Sequence, residues 1–245
     1  MTTGILHTES AYAQTSGGAK TKSHVGHHPL LNPRKGLVTW ESEGHEGGYF
    51  HSRVAHVPSM VSGLTIGRGY DMKYRSQASV FADLVGAGVP EADAKRLSGA
   101  AGLYGADAKN FMEQEKLGEI EISQQAQVAL FELSYKREEA ETKRISTKVD
   151  VVENYGPCSW DSLNPTIKEI LVDMKFRGDY TPKARTIIQS AVAQNDLILF
   201  AQLMCSEKNW PFVPKERFRL RRQLLEKEVD IYIKKKIPNY NPAST

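Results

Sequence analysis

Apolar residues recur at helical spacing along most of the chain after residue 76. The clearest case follows Ser123, a residue suited to the N-cap of a long helix. The apolar face of this helix is spaced at i, i+3, i+4 and i+7: Ala126, Ala129, Leu130 and Leu133. Proline after a capping residue marks helix starts at Pro165 and Pro182, and Pro214 opens another helix. The remaining predicted helices cover about residues 37–43, 80–85, 90–98, 106–116 and 196–204.

Residues 49–69 break this pattern and indicate a small β region. Short strands are predicted at about 49–51 and 64–66, where apolar residues alternate with polar residues or glycine. A β region followed by helices favours an α+β fold, with a small N-terminal lobe of about 37–75 and a larger all-helical lobe of about 76–235. A cleft between these lobes is the expected place for an active site.

The start of the chain differs from the rest in composition. Residues 1–30 are rich in Thr, Ser, Gly, Lys and His and lack periodicity, which predicts a flexible tail before one domain at 31–240. This tail lacks the apolar segment of a secretory signal. No apolar run approaches the roughly 18 residues of a membrane span. We therefore expect a protein that is made in the cytoplasm and does not insert into membranes.

Charge and cysteine content narrow the function only a little. The chain has 32 basic and 29 acidic residues, mostly interleaved, and a net charge of +3. The basic runs at 217–222 and 234–236 are more typical of solvated helix faces than of a nucleic-acid site, so no nucleic-acid partner is expected. Cys158 and Cys205 lack CxxC spacing, which favours two separate thiols over a lone disulfide.

The segment Ser62–Asp71, with the sequence SGLTIGRGYD, carries the most chemical information. It combines the hydroxyl of Thr65 with the carboxylate of Asp71. Gly67 and Gly69 allow sharp turns and a close approach to a ligand. Upstream, the sequence WESEG supplies further carboxylates. Two carboxylates and a hydroxyl are what the hydrolysis of a glycosidic bond requires.

Other catalytic and cofactor motifs fail on their spacing. Gly67 and Gly69 lack the third glycine of a dinucleotide-binding loop, because Met72 stands there. The sequence HEGGY, which begins at His45, has Tyr49 where a zinc protease motif needs its second histidine. No G-x-S-x-G motif occurs. Neither a metal nor a cofactor is therefore expected.

These residues carry a resemblance to the phage-type lysozymes. Glu43-Gly44, followed by TIGRG from Thr65, is similar to their signature of an acidic residue and glycine at a helix end and T-I-G-x-G on a hairpin. The longer form SGLTIGRGYD is more similar still to the pesticin-like branch of bacterial toxin domains. WPFVP at 210–214 also resembles a segment that phage-type lysozymes place behind the catalytic Glu. The resemblance covers about residues 37–231 and implies a lysozyme-like form of the α+β fold.

The resemblance implies a role for each matching residue. Glu43 matches the general acid, and Thr65 matches the hydroxyl that orients water or substrate. Asp71 matches the carboxylate that pesticin-like domains place after G-Y. Phage-type lysozymes carry their second carboxylate before the Thr, but residues 54–64 contain no acid, so this role falls to Asp71 or to no residue.

Further residues are expected to support these three. Four residues of the motif are expected to contact substrate: Gly67, Arg68, Gly69 and Tyr70. Arg217, in preference to Arg221, is expected to pair with the acid. Glu43 is preferred as the acid because glycine follows it, while Glu41 and Glu46 stay open as alternatives if the turn is shifted.

The predicted function is an inverting muramidase that hydrolyses the β-1,4 bond between N-acetylmuramic acid and N-acetylglucosamine in peptidoglycan. Inversion implies carboxyl groups roughly 6.5–9.5 Å apart. A wall-degrading enzyme without a secretory signal suggests a monomeric antibacterial effector. A specialised secretion system would deliver it to the periplasm or cell wall of a target cell, and a cognate immunity protein would inhibit it. The alternatives are a phage endolysin, a lytic transglycosylase with anhydro-sugar products, and a non-catalytic module that binds the wall or an immunity protein.

Overall fold

The computed structural model describes residues 31–48 and 51–236. The chain divides into two units, Met1–Leu30 and Leu31–Thr245, and every described residue belongs to the second. The predicted tail of residues 1–30 lies outside the described residues. So does most of the predicted strand at 49–51.

The described residues form ten α-helices and one antiparallel sheet of two strands. The helices are α1 (Leu37–Ser42), α2 (Gln77–Gly86), α3 (Glu91–Ser98), α4 (Gly105–Gln114), α5 (Gln124–Ser146), α6 (Val149–Tyr155), α7 (Pro165–Arg177), α8 (Pro182–Ala193), α9 (Leu197–Met204) and α10 (Lys215–Lys236). The strands are β1 (Thr65–Ile66) and β2 (Tyr70–Asp71). We call residues 65–71 the hairpin.

The predicted α+β, lysozyme-like architecture is wrong, because the described fold is largely helical. Each strand of the hairpin has two residues, and isolated bridges such as His56 with Thr65 add little pairing around it. Gly67 and Gly69 have φ angles of 65° and 85°, so the backbone turns before a longer ladder can form. In the predicted β region, the described residues 51–64 are mainly irregular backbone.

The predicted capping residues account for several helix starts. At the start of α5, Ser123 Oγ accepts a hydrogen bond from Ala126 N at 3.1 Å. At the start of α7, Asn164 Oδ1 accepts one from Thr166 N at 2.8 Å. Each side chain satisfies a backbone N–H that the first helical turn leaves without a partner. The short helix α6 was not predicted.

Buried apolar residues form two cores, and α5 contributes to both. The hairpin core joins the hairpin to α2, α3 and the start of α5, and its members include Leu64, Ile66, Tyr70, Leu84, Leu97 and Leu130. The helical core joins α1 to the later helices, and its members include Trp40, Phe131, Ile170, Leu171, Ile188 and Phe200. The hairpin thus shares its core with helices that follow it, while α1 packs elsewhere. The predicted lobe boundary near residue 75 does not coincide with this division.

Two sequence expectations concern membranes and thiols. Within the described ranges, no helix combines the length and the apolar character that a membrane crossing requires. Cys158 is buried and Cys205 is half-buried, and both are free thiols. Burial raises the pKa of each thiol, which keeps them protonated and unreactive at neutral pH.

Candidate active site

Glu43 lies at the C-terminal end of α1, where its backbone N–H donates to Thr39 O at 2.9 Å. Its side chain is 23 % exposed, and its Oε1 accepts a hydrogen bond from Arg217 Nη1 at 2.6 Å. This is the pairing with Arg217 that the sequence predicted. A partly exposed carboxylate held by a buried guanidinium has a fixed direction and still reaches a ligand from solvent.

A buried aspartate holds Arg217 in place. Asp173 of α7 is completely buried, and its Oδ1 accepts hydrogen bonds from Arg217 Nη2 at 2.6 Å and from Thr39 Oγ1 at 2.9 Å. Its Oδ2 accepts one from Arg221 Nε at 2.6 Å. Burial opposes the ionisation of Asp173, but Arg221 and Arg217 outweigh it and hold the pKa of the carboxyl below its usual value. One carboxylate therefore ties α1, α7 and α10 together.

The ion pairs continue beyond Asp173. Arg221 Nη2 donates to Asp179 Oδ2 at 3.1 Å, and Asp179 also pairs with Arg177. We call these five residues the arginine–aspartate cluster: Asp173, Arg177, Asp179, Arg217 and Arg221. With Glu43 included, three arginines face three carboxylates, so the group is neutral when Glu43 is ionised. Glu43 joins this cluster through Arg217, is partly exposed to solvent, and lies beside the hairpin.

Gly69 brings the hairpin against Glu43. A Cβ at this position would lie 3.9 Å from Glu43 Oε2 and 2.6 Å from Cε1 of Phe176. The positive φ of Gly69 adds backbone strain for any other residue. Glycine is therefore required here for two reasons, and Phe176 of α7 is the surface on which the hairpin rests.

Thr65 and Asp71 are opposite each other in the hairpin, so their side chains lie on the same face. Asp71 Oδ2 accepts a hydrogen bond from Gly63 N at 3.2 Å, and Oδ1 accepts one from Lys73 N at 2.7 Å. Thr65 is 6 % exposed, and its Oγ1 donates to Gly63 O at 3.3 Å. Both groups are fixed by neighbouring backbone. Each keeps unused acceptor positions, because a hydroxyl has two lone pairs and an ionised carboxylate has about four acceptor positions.

Arg68 and Tyr70 point into the protein. Arg68 is buried above the Trp40 ring, with Cζ 4.2 Å from the ring centroid, and its Nη1 donates to Trp40 O at 2.5 Å. Tyr70 is completely buried, and its hydroxyl donates to Asp83 Oδ2 at 2.6 Å. Burial and this hydrogen bond raise the pKa of Tyr70. The two side chains that the sequence placed in contact with substrate are thus committed to contacts within the protein.

The three candidate glutamates lie in different surroundings. Glu46 accepts hydrogen bonds from Arg53 Nε at 3.0 Å and from Gln127 Nε2 at 2.5 Å. Burial opposes the ionisation of Glu46, but Gln127 and Arg53 outweigh it and lower the pKa of this carboxyl. Glu41 is exposed on α1. Only Glu43 of these three combines a buried arginine partner with a position beside Gly69 in the described structure.

Sequence reasoning missed Asp173 and Phe176. Asp173 stands between Val172 and Met174, inside the apolar stripe of α7. An acid on a buried face is the signal that could have identified a partner for the arginines, because such a group is rarely buried unless it is paired. Phe176 gives no such signal, because its contact with Gly69 arises from the tertiary fold.

The described surface includes two cavities. One of about 280 Å³ is lined by residues around Arg34 and Tyr135, and one of about 470 Å³ by residues around Trp210 and Phe218. Glu43, Thr65 and Asp71 line neither of them. Within the described ranges, no group of three or more His, Cys, Asp and Glu side chains is arranged to hold a metal ion.

The family model described as Domain of unknown function (DUF8812) matches residues 36–222. The matched segment contains every residue of the candidate site, from Glu43 at the end of α1 to Arg221 in α10. No curated protein matches the chain.

Proposed function

Because this chain belongs to the DUF8812 family, which is described as a domain of unknown function, we propose its activity from the site itself: it is a muramidase. In this proposal it hydrolyses the β-1,4 bond between N-acetylmuramic acid and N-acetylglucosamine. The observation that carries the proposal is the Glu43 carboxylate, 23 % exposed, held at 2.6 Å by Arg217 and lying beside Gly69.

Glu43 acts in this proposal as the general acid. Its proton passes to the glycosidic oxygen while the bond from that oxygen to the anomeric carbon breaks. The transfer leaves a carboxylate on Glu43, and Arg217 stabilises the negative charge as it forms. Asp173 limits the cost of this arrangement, because it already neutralises part of the charge of Arg217 in the unreacted state.

Asp71 and Thr65 act on the water molecule. The water oxygen bonds to the anomeric carbon as the glycosidic oxygen leaves, and the water gives a proton to Asp71. Thr65 lies on the same face of the hairpin and orients the water through its hydroxyl. The backbone hydrogen bonds of Asp71 fix the direction of its carboxylate, as a base requires.

The choice of peptidoglycan comes from the sequence SGLTIGRGYD, with its resemblance to pesticin-like domains. The proposal does not depend on a lysozyme-like fold, because activity resides in the site and not in the architecture. Delivery to the wall of a target cell and inhibition by an immunity protein belong to the same proposal.

The test is the clearing of purified peptidoglycan sacculi by the wild type and by Glu43→Gln. We expect the substitution to reduce the rate by about 10²–10⁴-fold, because it removes the general acid. Glu41→Gln is the matched control on the same helix and should keep the wild-type rate. Mass spectrometry of the products should give reducing muramic acid ends. Anhydro-sugar ends would identify a transglycosylase instead, and loss of activity in Glu41→Gln alone would move the acid to Glu41.

A second candidate function is a non-catalytic module that binds the cell wall. Two observations favour it: Thr65 is 6 % exposed, and Glu43 lines neither of the two cavities described above. The same experiment decides between the candidates. A wild type that binds sacculi but releases no soluble fragments would establish the binding module and refute the muramidase.

A further inference from the structure

Three side chains next to the hairpin form an exposed surface that the catalytic proposal does not use. Lys73 Nζ lies 4.7 Å from the centroid of the Tyr74 ring and 4.8 Å from that of the Tyr104 ring. Tyr74 is 81 % exposed and Tyr104 is 54 % exposed. An ammonium group at these distances is attracted to the faces of both rings. We call Lys73, Tyr74 and Tyr104 the tyrosine–lysine patch.

The patch is held in place by backbone contacts. Lys73 Nζ donates to Val61 O at 3.0 Å. Tyr104 directly precedes α4, and the start of α4 is tied to the same loop, because Gly105 N donates to Ser62 O at 2.9 Å. The exposed side chain of Val61 extends the apolar surface at the edge of the patch. A ligand would therefore meet a surface that is already formed.

Charge indicates what this surface can bind. Lys73 makes no salt bridge with any described residue, whereas other lysines do, such as Lys143 with Asp161 and Lys234 with Asp230. An ammonium group between two exposed rings matches a ligand that has an apolar ring face next to a negative charge. A contiguous group of exposed aromatic side chains is typical of a surface that binds a ligand or another molecule.

The patch is also joined directly to the candidate active site. Lys73 N donates to Asp71 Oδ1, and Asp71 is opposite Thr65 in the hairpin. A polymer bound at the hairpin passes close to Lys73. A patch of a few side chains suits part of an extended ligand better than a stable protein interface, which typically buries about 1,200–2,000 Å².

We propose that the tyrosine–lysine patch is a substrate subsite that binds a peptide-bearing sugar of the peptidoglycan strand. Tyr74 and Tyr104 contact the sugar ring, and Lys73 pairs with a carboxylate of the stem peptide. The proposal rests on the muramidase function above and adds the requirement that the strand carry its acidic peptides.

The test measures binding, so that it does not require turnover. Each variant is made in the Glu43→Gln protein and titrated against purified sacculi, either intact or after an amidase has removed the stem peptides. Lys73→Gln should weaken binding to intact sacculi by about tenfold, the scale of one charge-assisted hydrogen bond. It should have little effect on peptide-free strands. Tyr74→Ala and Tyr104→Ala should each weaken binding to both forms by about fivefold, the scale of one aromatic contact.

The matched controls replace exposed residues that are distant in sequence from the patch. Lys183→Gln removes an exposed lysine and Phe212→Ala an exposed aromatic ring, and both should bind as the parent protein does. If the patch variants bind both forms of sacculi as these controls do, the patch is not a peptidoglycan subsite. A patch that serves a protein partner would give this same result. The muramidase proposal would then still stand or fall on the clearing assay. Tyrosine- and lysine-dependent binding by a protein that clears no sacculi would retain the subsite and refute the enzyme.

Discussion

The two carboxylates of the candidate site are held in opposite ways. Glu43 is fixed by a side chain 174 residues away in sequence, and that side chain depends in turn on Asp173. Asp71 is fixed by backbone N–H groups of Gly63 and Lys73, eight and two residues away. One position is a property of the tertiary fold, and the other is a property of a local turn.

This difference separates stability from chemistry. A change in the arginine–aspartate cluster alters the packing of α1, α7 and α10 together with the direction of Glu43. A change at Asp71 alters one turn and the charge that it presents. Substitutions in the arginine–aspartate cluster should therefore lower stability and activity together. A substitution at Asp71 should lower activity with little loss of stability.

The largest expected effect comes from Asp173→Asn. The substitution leaves Arg217 and Arg221 buried without their shared counter-charge, and breaking a buried ion pair in this way costs about 3–5 kcal/mol. Urea unfolding followed by circular dichroism measures the loss. Asp161→Asn is the control, because this aspartate is 89 % exposed, and its unfolding midpoint should not move. A midpoint of Asp173→Asn equal to that of the control would remove the basis of the comparison.

A smaller loss is expected for Gly69→Ala. The new Cβ would lie 2.6 Å from Cε1 of Phe176 at a φ of 85°, and the collision and backbone strain together cost about 2–4 kcal/mol. Gly88→Ala is the matched control, because Gly88 has a φ of 88° and a Cβ added there would meet no atom within 4 Å. It should lose only about 1 kcal/mol in the same unfolding measurement. Equal losses in the two variants would show that the hairpin does not rest on Phe176.

The smallest effect on stability is expected for Asp71→Asn. The amide retains one acceptor oxygen for two backbone N–H donors, so about 1 kcal/mol should be lost. The rate of sacculus clearing should fall much further, because the substitution removes the proposed base. The comparison would fail if this variant unfolded as readily as Asp173→Asn, or if it kept its full rate.

Local features of the fold followed from the sequence, and its class did not. Ser123 and Asn164 cap the helices that they were expected to cap, because capping depends on residues within one turn. The strand predicted at 64–66 is present as Thr65–Ile66, but its partner strand Tyr70–Asp71 was not predicted. The extent of β structure was overestimated, since an alternation of apolar and polar residues does not reveal whether a strand finds a partner.

The candidate site was likewise predicted only in part. Pairing of Arg217 with Glu43 came from a resemblance of motifs and is present at 2.6 Å. The inward direction of Arg68 and Tyr70 could not be read from the sequence. A turn between glycines of positive φ breaks the alternation that normally assigns side chains to one face of a strand. Asp173 required knowledge of which helix face is buried.

The stacking of Arg68 on Trp40 gives this protein an internal optical reporter. A guanidinium 4.2 Å from the centroid of an indole ring shifts its emission, and Arg68 belongs to the turn of the hairpin between Gly67 and Gly69. Any ligand that displaces this turn changes the electric field at Trp40. The other two tryptophans, Trp160 and Trp210, can be replaced by phenylalanine to isolate its signal. Binding at the hairpin should then be measurable in real time as a shift in the wavelength of tryptophan fluorescence, without labels and without catalysis.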